Sequence, residues 1–311
     1  MDDSGCFKVA CVIPTYNGSS ELLRLFDSLD RQIAVFDVIV IDSSSADGSA
    51  ELARERADLV TVIASSEFNH GGTRQRVVDD NPGFDVYVFL TQDAYLDDPY
   101  AIANLLKHFS DSEVGAVCGR QLPHLDATPL AMHARVFNYP QYDQMKSFSD
   151  VSTMGIKAAF MSNSFSAYRR DALIQVGGFP KHVIFAEDMY VAAKMLMGGW
   201  KIAYSGSAHC RHSHNYTVED EFRRYFDMGV FHARESWIRS NFGGAGGEGV
   251  AYVKSELKYL GLRRCVLWPA ALFRNAVKLF AYKIGQKEAC IPKWIKRKIG
   301  MYRRYWDGPF A

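Results

Sequence analysis

The sequence predicts an α/β fold with a mostly parallel central sheet, followed by a helical, basic C-terminal region. Three observations carry that prediction. Short apolar runs alternate with helix-length amphipathic runs through the first part of the chain, the pattern of strand–helix–strand units. Hydrophobic residues make up 48% of the 311, enough for one large α/β domain and a smaller appendage and too many for a disordered chain. Charge also changes along the chain. The total is +1, yet residues 251–311 carry 14 Lys and Arg against 3 Asp and Glu, which leaves −10 on residues 1–250.

Lys8 to Ile13 reads as the first strand. Ser20 to Arg31 follows as a helix capped by Ser19 or Ser20. Phe36 to Ile41 is the second strand and ends at Asp42; Asp47-Gly48 then turns the chain into a helix through Ala50 to Arg56. Leu59 to Ile63 is a third strand and Val86 to Leu90 a fourth. Between them, Phe68 to Arg74 is a glycine-bearing loop running into a helix. Tyr100 to His108 is helical, and Val114 to Cys118 is a strand. From Leu122 to Lys157 the pattern is irregular and aromatic, as long functional loops often are. Order returns at Ser164 to Tyr168, ahead of Gly177-Gly178-Phe179-Pro180. A helix spans Asp188 to Met197, a strand Lys201 to Tyr204, and His209 to Tyr216 forms a polar turn. Beyond Val218 the chain reads as helical, with a break at Gly243-Gly244-Ala245-Gly246-Gly247. The domain boundary therefore falls between residues 217 and 218, and no internal repeat is visible.

Six cysteines (Cys6, Cys11, Cys118, Cys210, Cys265, Cys290) include no C-x-x-C pair, and Cys11 and Cys118 fall in strands, which fits a reduced, cytosolic protein. The opening Met1-Asp2-Asp3-Ser4 is acidic and leads into a strand, unlike a signal peptide. No G-x-G-x-x-G follows the first strand and no P-loop is present, so the dinucleotide-binding and P-loop classes lose their main support.

The chemistry sits in acidic steps at the ends of elements. A carboxylate at the carboxyl end of a parallel strand lies where α/β sheets bind nucleotides. Asp42, before Ser43-Ser44-Ser45, can hydrogen-bond a base or ribose; as a bland alternative it belongs to a turn. Arg74 can pair with a phosphate or simply start a solvated helix. Asp93, in Thr91-Gln92-Asp93-Ala94, offers a carboxylate oxygen to a hard divalent cation bridging a diphosphate. Glu187-Asp188 opens a helix, where acids also serve the dipole. Asp188 is read as the general base, with Glu187 positioning the acceptor or sharing that role. His209, His212 and His214 crowd one segment and invite a zinc reading, but no cysteine pair accompanies them. One histidine joining Asp93 on a single metal is more economical, which leaves two of the three structural.

In this order the motifs resemble the inverting glycosyltransferases of family 2, which have the GT-A fold, over roughly Lys8 to Thr217. Phe68-Asn69-His70-Gly71-Gly72-Thr73-Arg74, Thr91-Gln92-Asp93-Ala94, Phe137-Asn138-Tyr139-Pro140 and Arg211-His212-Ser213-His214-Asn215-Tyr216 look most like bacterial rhamnosyltransferases, which use dTDP-β-L-rhamnose. The resemblance implies a nucleotide pocket lined by Pro14, Tyr16, Asn17, Asp42, Ser44, Arg74 and Gln92. It also implies a Mg2+ or Mn2+ ion on Asp93 with His212 or His214, and Asp188 as the base of a single displacement. It further implies a glycan or polyprenyl-diphosphate-linked acceptor at the cytoplasmic face of the inner membrane. Two departures stand out. The usual D-x-D is Gln92-Asp93 here, and Ser43 stands where many relatives carry a second Asp that reads the pyrimidine. A UDP-sugar donor, a nucleotidyltransferase and a non-catalytic scaffold are the competing readings. The nucleotidyltransferase lacks a cation in Thr15-Tyr16-Asn17-Gly18, and the scaffold is opposed by the presence of both Asp93 and Asp188.

The basic tail combines Leu267-Trp268-Pro269-Ala270-Ala271-Leu272-Phe273 with Val277, Leu279, Phe280 and Tyr282, interrupted by Arg274, Lys278 and Lys283. Three cations argue against a spanning helix and for one lying in an anionic membrane interface. Lys293 to Lys298 and Tyr302 to Trp306 are expected to strengthen that attachment. A helical packing domain and a dimer interface are the alternatives, and the latter keeps a homo-oligomer open. Nucleic acid is not an expected partner, because the first 250 residues are acidic and no binding motif accompanies the charge.

Overall fold

The computed structural model describes residues 7–244 and 246–311; the N-terminal acidic run, Cys6 and Ala245 of the glycine-rich break lie outside the described residues. In chain order the elements are β1 (Val9–Thr15), α1 (Ser19–Leu29), β2 (Asp37–Asp42), α2 (Ser49–Arg56), β3 (Leu59–Val62), α3 (His70–Asp80), β4 (Val86–Leu90) and α4 (Ala101–Leu106). They continue with β5 (Val114–Leu122), α5 (Pro129–Asn138), β6 (Gln144–Lys146), α6 (Val151–Met154), β7 (Phe165–Arg169), α7 (Arg170–Gln175), α8 (Glu187–Met197) and β8 (Lys201–Arg211). The C-terminal helices are α9 (Val218–Arg234), α10 (Ser236–Phe242), α11 (Gly246–Leu260), α12 (Trp268–Gly285) and α13 (Lys293–Ile299).

The strands form one sheet in the order β3-β2-β1-β4-β7-β5-β8-β6. β3, β2, β1, β4, β5 and β8 run one way, while β7 and β6 oppose them, so the sheet is mixed but mostly parallel as expected. Alternate residues of β1 feed opposite cores: Ala10 and Val12 one, Val9, Cys11 and Ile13 the other. Burial on both faces explains why these strands read as continuous apolar runs rather than alternating ones. The register places Thr15 beside Asp42 and Leu90 beside Phe165, and it places Leu122 beside Arg211. All of these strand ends, with the start of antiparallel β7, therefore open on the same edge.

Several local expectations are corrected. Helix α1 is not capped by Ser19 or Ser20; Gly18 holds the cap position, and the Asp47 carboxylate, from the next loop, accepts the Ser19 N–H at 3.0 Å. The segment from Leu122 to Lys157 is not irregular throughout. It contains α5, capped by Thr128 with Pro129 in its first turn, and the short edge strand β6. His209 to Arg211 continue β8 rather than forming a turn.

The C-terminal helices share a core with the sheet. Phe226, Val230 and Phe231 of α9, Ile238 and Phe242 of α10, Ala281 of α12, and Trp306 all join the cluster that holds Ala10 and Val12. Trp306 is fully buried, with the Lys296 ammonium 4.5 Å and the Arg234 guanidinium 5.2 Å from its rings. Both cations are paired with Glu288, at 2.5 and 2.8 Å. Trp306 and Lys296 are therefore packing residues, and the expectation that they reach lipid is overturned. Tyr302 is likewise partly buried, its ring packed on His70, while the Tyr305 hydroxyl donates to the His182 carbonyl. Among the described residues no helix is long and apolar enough to cross a membrane.

Candidate active site

The floor of the site comes from the ends of β1 and β4. The Gln92 side chain accepts the Thr15 hydroxyl at 2.7 Å and the Tyr16 N–H at 2.8 Å, and it donates back to the Tyr16 carbonyl at 3.2 Å. A Cβ on Gly18 would lie 2.0 Å from its amide nitrogen, so glycine is what lets this clamp close. Gln92 thus ties two loops together, and its neutral amide is occupied where a carboxylate would compete for metal. Asn17, in the left-handed region at φ 45°, accepts the Ala46 N–H on its side-chain oxygen and donates its own N–H to the Ser45 hydroxyl, fixing the loop after β2 against the loop after β1.

Asp42 is fully buried, and both its oxygens accept from Ser45, at 2.9 and 2.5 Å. It shapes the turn. Ser43 is buried with a hydroxyl that has no partner among the described residues, whereas the Ser44 hydroxyl donates to the Ile63 carbonyl. Tyr16 remains 46% exposed at the rim. Pro14 lies inside β1, opposite Ile41 of β2.

Asp93 lies beyond β4, and the chain leaving β8 meets it. His212 Nε2 is 3.3 Å and His214 Nε2 3.7 Å from Asp93 Oδ2, and ligand atoms of the three residues all lie within 4.8 Å of one another. His212 Nδ1 is 2.9 Å from the side-chain Oε1 of Gln121, whose Nε2 donates to the Ser162 hydroxyl at 2.7 Å. That arrangement places the proton on Nδ1 and aims the Nε2 lone pair at the cluster, a typical outer-shell support for a ligating imidazole. Burial alone would raise the Asp93 carboxyl, but the imidazoles of His212 and His214 outweigh it and hold the acid far below the usual range. Burial lowers His212, and burial, reinforced by the cost of charging a second imidazole beside His212, pushes His214 down to about 4. One carboxylate and two neutral imidazoles on a sheet edge fit a divalent transition-metal ion such as Mn2+. Two histidines converge rather than the one expected from sequence. His209 is turned away, 3.1 Å from Asp97.

The second acidic step opens α8. Glu187 is 4% exposed; it pairs with Arg74 at 3.0 Å and accepts from the Asn163 amide at 2.9 Å. Arg74 is equally buried and also donates to the His70 carbonyl at 2.8 Å. In this structure its guanidinium is bound to Glu187, not presented as an open phosphate clamp. A Cβ on Gly71 would come within 1.9 Å of the Pro180 carbonyl, so the glycine of this loop serves close packing. Asp188, only partly buried, accepts the Asn163 N–H at 3.1 Å and the Met189 N–H at 2.7 Å. Burial, then the adjacent Glu187 charge, pushes its carboxyl up to about 7. The two neighbouring acids are thus driven apart: Glu187 stays ionised on its arginine, and Asp188 is poised to trade a proton near neutrality.

Sequence reasoning missed three residues here. Asn163 joins both acids and is itself held by Ser166 and Tyr168 at 2.9 and 2.8 Å. Gln121 and Ser162 support His212. No motif marks them, because their roles exist only once β5, β7 and β8 lie side by side. The chain beyond α13 also returns to the site: Arg304 lies over the Tyr16 ring at 5.9 Å and donates to the Ser65 carbonyl at 2.5 Å.

A mostly parallel sheet whose strand ends and loops open on one edge is the GT-A fold. Comparison with known proteins agrees. The family model described as glycosyl transferase family 2 matches residues 10–177. The chain is 49% identical over 303 residues to the O-antigen chain rhamnosyltransferase RfbN of Salmonella typhimurium, covering 96% of each chain. It is 48% identical over 299 residues to the O-antigen chain rhamnosyltransferase WbaN of Salmonella anatum, covering 95% of each. Among solved structures, the mannosyltransferase PcManGT from Pyrobaculum calidifontis, in complex with GDP-Man and Mn2+, matches with a TM-score of 0.64 at 17% identity, over 91% of this chain and 88% of that one. S. aureus TarS 1–349 in complex with UDP-GlcNAc matches with a TM-score of 0.51 at 14% identity, over 91% of each chain. The chain belongs to glycosyltransferase family 2. Within it, the chain is a glycosyltransferase like the bacterial O-antigen chain rhamnosyltransferases.

Proposed function

We propose that this enzyme transfers L-rhamnose from dTDP-β-L-rhamnose to a hydroxyl of a glycan, lipid-linked through a polyprenyl diphosphate, during O-antigen assembly. The observation that carries the reading is the meeting of Asp93, His212 and His214 at the same sheet edge as Asp188, in a chain half identical to two O-antigen rhamnosyltransferases. Asp188 takes the proton of the acceptor hydroxyl, whose oxygen attacks the anomeric carbon from the face opposite the nucleotide. The bond from that carbon to the diphosphate breaks, dTDP leaves with the electron pair, and the configuration inverts to an α-L-rhamnoside. Asp93, His212 and His214 would hold a divalent ion whose charge compensates the departing diphosphate. Two imidazole nitrogens favour Mn2+ over Mg2+, which prefers oxygen. Thr15, Tyr16 and Gln92 shape the nucleotide end, with Tyr16 offering a ring face to the base.

In this reading residues 1–217 carry the catalytic base and the metal ligands, and residues 218–311 pack against them and turn one outer face toward the membrane. Support for the second role comes from α12, whose outward stripe exposes Leu272, Phe273, Leu279 and Phe280, ending at Lys283. Leu262, Arg263, Arg264 and Val266 stand exposed just before it. Such a surface suits the cytoplasmic face of the inner membrane, where a lipid-linked acceptor resides.

Calorimetric binding of dTDP, UDP and GDP, each with and without Mn2+, tests the donor. The expected result is a preference for dTDP that needs the metal and disappears in Asp93→Ala. A preference for UDP keeps the transferase and replaces the sugar donor, and binding of none of the three overturns the nucleotide reading.

A further inference from the structure

Arg224, on the second turn of α9, stands apart from the arginines around it. Arg223, Arg234 and Arg274 are each paired with a glutamate, at 2.5, 2.8 and 2.9 Å. Arg74, the sequence candidate for a phosphate contact, is spent on Glu187. Arg224 is partly buried, and among the described residues its guanidinium makes neither a hydrogen bond nor an ion pair. It is held instead between two rings, 5.6 Å from the centroid of Phe185 and 6.0 Å from that of Tyr216. Leaving five N–H donors of a half-buried cation unused is costly unless a ligand or water completes them.

Its surroundings say which ligand. Phe185 immediately precedes the Ala186-Glu187-Asp188 turn. Tyr216 stacks on His214 with centroids 4.9 Å apart, and His214 reaches Asp93. Tyr302, packed on both His70 and Phe185, closes the far side. Arg224 therefore faces the space bounded by the proposed base and by the Asp93 cluster, close enough for its charge to act on His214, His70 and Asp188. That cluster contributes one carboxylate and two neutral imidazoles. A bound divalent ion would leave a nucleoside diphosphate only partly compensated, and Gln92 brings no charge. A planar guanidinium with free, fork-shaped donors is suited to phosphate oxygens.

We propose that Arg224 binds the diphosphate of the nucleotide-sugar donor and stabilises it as it departs. This rests on the nucleotide-donor reading above. Three variants test it: Arg224→Met, which keeps the long stem between Phe185 and Tyr216; Arg224→Lys, which keeps the charge; and Arg223→Ala, a control on the neighbour whose guanidinium is paired with Glu219. Each is titrated calorimetrically with dTDP, dTMP, UDP, UMP and farnesyl diphosphate, with and without Mn2+, beside a thermal melt.

The expected result is at least a tenfold loss of nucleoside diphosphate affinity in Arg224→Met, present without metal too. Monophosphate binding and melting temperature stay unchanged, Arg224→Lys retains most of the affinity, and Arg223→Ala matches wild type. Equal diphosphate affinity in wild type and Arg224→Met overturns the proposal while leaving the donor reading intact. So does an equal loss for mono- and diphosphate, which marks a structural role. Loss confined to farnesyl diphosphate moves the residue to the acceptor and overturns the donor assignment. Wild-type protein that binds no nucleotide removes the donor reading and this inference together.

Discussion

Replacing Asp188 by Asn removes the proposed base with little change of shape. The carboxylate accepts two backbone N–H groups, from Asn163 and Met189, and an amide can still accept one of them. A positioned general base contributes roughly 10²- to 10⁴-fold to rate, so kcat should fall by about that factor. Nucleotide affinity should stay near wild type, because Gln92, Tyr16 and the Asp93 cluster are untouched. The pH profile supplies a second magnitude. With the Asp188 carboxyl pushed up to about 7 by burial and the Glu187 charge, half of it is ionised at that pH. A base must be ionised, so the wild-type rate should drop roughly tenfold for each pH unit below 7 and level off above pH 8. Folding stability runs the other way. A carboxyl raised in the folded state contributes stability below its ordinary pKa and loses it as pH rises through about 7. Asp188→Asn should therefore melt above wild type at pH 8 and match it near pH 4. The assay is rhamnosyl transfer to a lipid-linked acceptor, with melts alongside. Near-full activity of Asp188→Asn, or a wild-type rate flat from pH 5 to 8, refutes the assignment.

Gln121→Leu takes away the acceptor that fixes the His212 ring and should weaken Mn2+ binding by roughly 10- to 100-fold, read by metal titration, with the melting temperature little changed. Trp306→Ala empties a fully buried site between Lys296 and Arg234 and should cost about 3–5 kcal/mol in denaturant unfolding. A double change of Phe273 and Phe280 to Ser on the outward face of α12 should abolish co-sedimentation with vesicles rich in anionic lipid and leave nucleotide binding intact; unaltered sedimentation removes that helix from the membrane contact.

What could be read from the chain alone was whatever its local pattern encodes. The apolar runs Val9 to Ile13 and Val86 to Leu90 announce doubly covered strands without any knowledge of neighbours, and the acids that end or follow elements stand out for the same reason. The cap of α1 is not legible locally, because its acceptor, Asp47, arrives from a loop 28 residues away in sequence. Helix α5 has a usable start signal in Thr128-Pro129, but the aromatic residues around it mask its periodicity and read as a loop. The histidines were identified as a group, but which of them meet Asp93 depends on β8 continuing to Arg211 before the chain turns. Arg74 illustrates the opposite failure. Its sequence neighbourhood suggests an exposed cation, and only the packing of α3 against the start of α8 reveals the buried partner that neutralises it. Tyr302 and Trp306 carry the signature of an interfacial segment, aromatic and basic, yet the same composition also suits a strap pressed against a protein core.

That strap has a consequence for how the enzyme is made. Tyr16 emerges from the ribosome well before Arg304, the arginine that covers its ring. During synthesis the sheet edge can assemble while the last helices are still being made, but its rim stays open and its aromatic face bare. The nascent chain thus holds a half-built pocket until Arg304 is made, and donor binding should appear only as that segment swings back and Trp306 locks into place.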